Sequence, residues 1–289
     1  MRSQLIYLKF ENVTRLGAAR RSDLAPRKQV DTVSSQDKVV SAHADGVVGH
    51  IVLDRPEAMN AITVELGRQL ENSLRELAGA VTVIVIRGAG GNFSVGGDFR
   101  ELERLRAEGP EALRPLFENF GRACGVIAEL PVPVVAAVEG YAMAGGFELM
   151  QACDIAVVRA DAKLADNHAN FGQVPGGGGS QRLPRLVGRQ RALGHILSGE
   201  RLSGAQAAEW GLAYRGFAPE EFDAGVAAFV RRLGEQDPVA LGRIKRLVHD
   251  GLRAPLADGL AMELATVIEH VGSATAGAGI ASFGTGKGA

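Results

Sequence analysis

From Val48 onward the chain alternates between two hydrophobic periods. In "VVGHIVLDRP" the apolar positions Val48, Ile51 and Leu53 run into Pro56, the pattern of a strand entering a turn. Thr63 then heads a segment in which Leu66, Leu70, Leu74 and Leu77 recur at helical spacing, and Gly79 closes it. "VTVIVIRG" is an unbroken β-branched run, which predicts a strand buried on both faces. The glycine-rich "GAGGNFSVGGD" reads as a loop, "FRELERLRAEG" as a short polar helix, and residues 111–129 as a longer helix. A second buried strand, "PVPVVAAVEG", is entered through prolines that end the helix before it. "AGGFELMQACD" starts a helix at its glycines, and "DIAVVRA" is a third buried strand. Beyond Ser180 the pattern is mostly helical, over 180–187, 189–198, 203–210, 219–235, 238–251 and 254–271. Strands and helices in this order predict an α/β core with a helical C-terminal layer.

The first forty residues lack this periodicity, so ordered structure is expected to begin near Gly46. They carry Arg2, Lys9, Arg15, Arg20, Arg21, Arg27 and Lys28, interspersed with Glu11, Asp23, Asp31 and Asp37. Without an apolar h-region the segment is no secretory signal, and it reads as a disordered extension or an upstream start. The 289 residues have a net charge of -1, so no basic field recruits nucleic acid or an anionic membrane. No apolar run reaches the length of a membrane span. Two cysteines, Cys124 and Cys153, are too few for a disulfide framework and fit a reduced, cytoplasmic protein.

Three segments carry candidate chemistry. "NFSVGGD" and "YAMAGGFE" each leave a buried strand and enter a helix, placing backbone amides where the helix dipole favours negative charge. Together they form either an oxyanion hole, with one amide from each turn, or two tight turns whose glycines allow close packing. Glu148 lies among Phe147, Leu149 and Met150 on a largely apolar helix. Such a carboxylate either has a perturbed pKa and a task or satisfies the amides of its own helix. In "DNHANFGQVPGGGGSQR", His168 is a candidate acid or base or else a loop residue. The lysine of a phosphate loop is missing there, and the Asp, Asn and His spacing matches no metal template, so no metal is expected.

These motifs, in this order, resemble the enoyl-CoA hydratase/isomerase, or crotonase, family over about 240 residues. "LDRPEAMNAI" is similar to its opening strand and adenine-side loop. "GNFSVGGDFREL" and "PVPVVAAVEGYAMAGGFELMQACDIAVV" resemble its two oxyanion loops, and "GQVPGGGGSQRLPRLVG" and "AAEWGLAYRGFAP" follow in order. The resemblance implies a crotonase-like spiral of ββα units with a helical C-terminal trimerisation region. It divides the chain into an extension at 1–40, an α/β core at 41–205 and a helical region at 206–289. It further implies an acyl-CoA substrate, no separate cofactor because coenzyme A belongs to the substrate, and assembly as a homotrimer or homohexamer. By position, the oxyanion amides fall to Val95 and Gly145, and the first catalytic glutamate to Glu148. Contacts to substrate fall to Ala58, Gly97, Asp98, Phe99, Gly146 and Phe283, the last from a neighbouring subunit.

The chain departs from the family pattern at one position that matters. Counting back from "PGGGGSQR", the second hydratase glutamate is replaced by His168. That exchange argues against a simple double-bond isomerase. It leaves an enoyl-CoA hydratase-like lyase as the leading expectation, with Glu148 and His168 handling protons. The alternatives are a hydrolase of CoA thioesters or β-dicarbonyls and a catalytically silent acyl-CoA-binding homologue.

Overall fold

The computed structural model describes residues 38–273; the extension at 1–37 and the tail containing Phe283 lie outside them. The chain opens with β1 (Val40–Asp45) paired antiparallel with β2 (Val48–Leu53) across Gly46, whose φ of 57° suits the tight turn. Among the described residues the first strand therefore begins six residues before Gly46, and Val40 is a core residue, 3% exposed. β1 was missed because only Val40 of its six residues is buried. An edge strand with a single buried residue leaves no apolar alternation to read.

β3 (Val83–Gly88), β4 (Val134–Val138), β6 (Ile155–Arg159) and β9 (Arg215–Phe217) continue in parallel from β2, giving the sheet order β1-β2-β3-β4-β6-β9. A smaller sheet, ordered β5-β7-β8, is made by β5 (Tyr141–Met143), β7 (Lys163–Ala165) and β8 (Leu202–Ser203). Consecutive strands are thus dealt alternately to the two sheets: β4 then β5, β6 then β7. With the helix after β5, this is the ββα winding that the resemblance implies.

The buried runs behave as their composition dictates. Along β3, Ile84 and Ile86 join the main core while Val83 and Val85 face a second one; Val134, Ala136 and Val138 alternate with Val135 and Ala137 on β4. The main core is covered by α1 (Val64–Ala78), α3 (Pro110–Ile127) and α4 (Gly145–Ala152). Thr63 caps α1 by accepting the Leu66 amide at 3.0 Å, and Leu66, Leu70 and Leu74 of that helix are fully buried. The second core is closed by Phe222, Val226 and Val230 of α8 (Phe222–Gly234).

The remaining helices are α2 (Phe99–Glu108), α5 (Gly179–Val187), α6 (Arg189–Ser198), α7 (Gly204–Glu209), α9 (Pro238–Gly251) and α10 (Leu256–Val271). The expected division at residue 205 falls inside α7, and α8 belongs to the packing of the large sheet. Lys245 pins α9 to the body: its ammonium pairs with Asp154 at 2.7 Å and donates to the Ile127 and Val132 carbonyls. Among the described residues, no helix is long and apolar enough to cross a membrane.

Candidate active site

The two glycine turns are stitched to each other. Ser94 N–H donates to the Tyr141 carbonyl at 3.0 Å, and Met143 N–H donates to the Ser94 carbonyl at 2.9 Å. Gly146, at the start of α4, packs so tightly on Ser94 that a Cβ there would lie 2.8 Å from the Ser94 side chain. The turn before α4 is strained: Ala144 has φ 47° and ψ −117°, a conformation rarely adopted by a residue with a side chain. It is fastened on both sides, its N–H donating to the Ala165 carbonyl and its carbonyl accepting the Glu148 amide, each at 2.9 Å.

This stitching decides which amides are free. Val95 N–H donates to the Met59 carbonyl at 3.2 Å, so the oxyanion role expected of it falls away. Gly96 N–H donates to Ser94 Oγ at 3.2 Å. The next amide, Gly97, donates no hydrogen bond among the described residues, and neither does Gly145 at the first position of α4. Both glycines line one cavity. The turn chemistry was legible in sequence, but the choice between Val95 and Gly97 depended on the pairing of Val95 with Met59, in a different loop of the chain.

That cavity is about 670 Å³, with Ile62, Leu102, Leu116, Phe117 and Phe120 among its walls. Phe99 and Phe171, both exposed, meet edge-on at its mouth with ring centroids 5.5 Å apart. Glu148 and His168 complete it. Phe117 and Phe120 were missed in sequence because they lie in a helix whose apolar positions look like ordinary core.

Glu148 is 1% exposed. Its side chain does not cap its own helix; Oε1 instead accepts the Gly177 and Gly179 amides, each at 2.8 Å. The "PGGGG" run therefore cradles a carboxylate at the N-terminus of α5, where free amides and the helix dipole favour an anion. Burial nonetheless pushes the Glu148 carboxyl above its usual range, against the pull of the Gly179 amide, the His168 charge and the Gly177 amide.

His168 opens a short 3-10 turn, His168–Phe171, just after β7. Nδ1 lies 2.7 Å from Asp166 Oδ1, and Nε2 lies 4.0 Å from Glu148 Oε2. Burial lowers its affinity for a proton, but the Asp166 hydrogen bond and charge, helped by Glu148, outweigh that and raise the pKa above 6.5. Asp166 is fully buried, and its N–H donates to His195 Nε2 at 3.1 Å.

Of the other positions expected at the site, Gly97, Phe99 and Gly145 reach the cavity, while Ala58, Asp98 and Gly146 are not part of its wall. Asp98 is occupied structurally, accepting the Arg100 and Glu101 amides as the cap of α2 and pairing with Arg55 at 2.9 Å. Ala58 ends a short 3-10 turn whose amide is tied to the Arg55 carbonyl. Phe283 lies outside the described residues.

The fold thus brings two unpaired amides, those of Gly97 and Gly145, to one cavity beside a buried carboxyl and an imidazole. The sequence model of the enoyl-CoA hydratase/isomerase family matches residues 43–284. A Bos taurus protein named enoyl-CoA hydratase domain-containing protein 2, mitochondrial, is 34% identical over 246 residues, covering 82% of this chain and 81% of its own. A protein of Rhizobium meliloti named probable enoyl-CoA hydratase is 33% identical over 220 residues, covering 75% of this chain and 84% of its own. Among solved structures, an enoyl-CoA hydratase of Bacillus anthracis superposes with a TM-score of 0.81 at 28% identity, covering 86% of this chain and 97% of that one. Human enoyl coenzyme A hydratase domain-containing protein 3 superposes with a TM-score of 0.82 at 25% identity, covering 86% and 98%. The chain belongs to the enoyl-CoA hydratase/isomerase family.

Proposed function

We propose that the protein adds water across the double bond of a 2-enoyl-CoA thioester. The observation that carries this reading is the convergence on one apolar cavity of two unpaired amides, Gly97 and Gly145, and a carboxyl–imidazole pair, Glu148 and His168. When water attacks Cβ, the electrons of the double bond move toward the thioester oxygen. Two amides aimed at that oxygen hold the enolate without reorganisation, the kind of stabilisation that contributes most in a site shielded from water. Two proton transfers remain, one from water and one to Cα, and Glu148 and His168 divide them.

A family fold does not determine a reaction, so the reading rests on the site. Incubating the protein with 2-enoyl-CoA esters of graded chain length should consume the enoyl chromophore and add the mass of one water. Glu148→Gln, which keeps size and polarity, should lower kcat by about 10²- to 10⁴-fold. An absence of hydration across the panel would overturn the reading.

Hydrolysis of the thioester is the second reading, favoured by one observation: the Asp166–His168 contact equips the imidazole to activate water without a second carboxylate. Its signature is a free coenzyme A thiol instead of a hydrated ester. A silent binding protein is disfavoured by the retained, desolvated Glu148, since an unused buried carboxylate only costs stability.

A further inference from the structure

Asp166 has no structural duty that its carboxylate visibly performs. It is fully buried, yet it caps no backbone amide: the turn that follows has no side-chain cap, and Oδ2 has no hydrogen-bond partner among the described residues. Among the described residues, the one hydrogen bond its side chain makes is from His168 Nδ1 to Oδ1, at 2.7 Å. A buried carboxylate with a single partner is expensive to keep unless that partner needs it.

We infer that Asp166 is a positioning residue: it holds His168 as the Nδ1–H tautomer, making His168 the base that deprotonates water and leaving Glu148 as the acid. This rests on the hydratase reading above and assigns the two proton transfers within it. With Nδ1–H committed to Asp166, the Nε2 lone pair is directed toward Glu148 Oε2. The 4.0 Å between those atoms is too long for a direct hydrogen bond, yet short enough for one reacting group lying to the side of the line between them to contact both. Glu148 Oε1 is already held by the Gly177 and Gly179 amides, so Oε2 is the oxygen that carries the mobile proton.

The step balances as follows. His168 Nε2 takes a proton from water as its oxygen bonds to Cβ; the double-bond electrons pass to the thioester oxygen held by Gly97 and Gly145. As the enolate collapses, Glu148 Oε2 gives its proton to Cα, so the elements of water are added and the enzyme is left as imidazolium and carboxylate. Transfer of one proton from Nε2 to Oε2 restores both. The charged groups around His168 are compatible with this division. Asp166 follows β7 in the same segment, Glu148 comes from α4, and His195 of α6 accepts the Asp166 amide. Arg100, Glu103 and Arg106 of α2 line the outer cavity, and Arg182 of α5 is turned onto the Gly177 carbonyl. The negative charge nearest His168 is therefore Asp166, whose Oδ1 is in hydrogen-bond contact with the ring.

The test compares the pH dependence of hydration for the full chain, Asp166→Asn and Asp166→Glu. Neutral His168 is required, so kcat/KM of the unaltered protein should fall as pH drops through a value above the ordinary 6.5. In Asp166→Asn that inflection should move to lower pH, kcat should fall by roughly 10²-fold, and KM should hardly change; Asp166→Glu should recover part of the loss. A purely structural Asp166 would leave the inflection in place. If it stays in place while His168→Ala is inactive, the inference fails and the hydratase reading stands. If His168→Ala keeps full hydration activity, the inference fails because His168 is not the base; if neither the unaltered protein nor any variant hydrates any ester, it is the hydratase reading that fails. Should Asp166→Asn not fold, nitrogen-15 NMR of the histidines in the unaltered protein, assigned by difference from His168→Gln, decides the matter. A protonated Nδ1 at neutral to alkaline pH supports the inference, and an Nε2–H tautomer overturns it.

Discussion

Ala144 shows how the site stores strain at a single residue. Its φ of 47° and ψ of −117° set the turn into Gly145, which lines the cavity, and hydrogen bonds to Ala165 and Glu148 hold that turn in place. Such a conformation costs of order 1–3 kcal/mol in a residue with a Cβ. Ala144→Gly should therefore stabilise the protein by about 1 kcal/mol after the extra chain entropy of glycine is subtracted, measurable as a higher urea midpoint with an unchanged slope. A lower midpoint would show that the alanine methyl contributes more packing than the backbone loses to strain. At this scale sequence reading had uneven reach. Glu148 was conspicuous because a charge inside "GGFELM" breaks an apolar face, and His168 because it stands where a glutamate is expected. Asp166 and Asn60 were opaque. Asn60, buried in a left-handed conformation, accepts the Arg55 amide and donates to the Ala89 and Asn92 carbonyls. Nothing local marks it as the knot of the first loop.

At the scale of elements, the glycine run before α5 is the least replaceable piece. A Cβ on Gly179 would lie 2.8 Å from Asp166 Oδ2 and 3.1 Å from Glu148 Oε1; one on Gly177 would lie 2.8 Å from Glu148 Oε2 and collide with the Phe120 ring. These positions have ordinary φ values, so the requirement is close approach of backbone to carboxylate and not an unusual turn. Gly179→Ala should keep the fold but displace Glu148 and lengthen the two amide contacts. Activity should fall by at least about 10²-fold, in line with a misplaced catalytic group, while coenzyme A ester binding persists. Wild-type turnover in Gly179→Ala would mean that the cradle is incidental. Long periodic elements such as α1, β3 and β4 were readable because one pattern fixes both identity and buried face. Short strands were not: β5, β7, β8 and β9 span two or three residues, and backbone pairing across distant segments defines them.

On the whole-molecule scale the apolar balance of the C-terminal helices stays open. α10 presents Leu256, Leu260, Leu264, Ile268 and Val271, spaced about one turn apart and all at least half exposed, and α9 adds Ile244 and Val248, followed by exposed Leu252 at its C-terminal cap. No residue of α10 is buried. At roughly 25 cal/mol per Å² of apolar surface removed from water, a stripe of this length has a strong tendency to be covered. Its placement fits the homotrimer or homohexamer implied by the family resemblance, with copies of this chain meeting through α9 and α10. Two substitutions on one face, Leu260→Glu and Leu264→Glu, bury charge in any such contact while leaving the Lys245–Asp154 pin intact. Light scattering at micromolar concentration should report a trimer or hexamer for the full chain and a monomer for the double variant. A full chain that scatters as a monomer would remove the oligomer. An unchanged assembly in the double variant would move the contact elsewhere, because glutamates at the centre of an apolar interface cost far more than a surface pair returns.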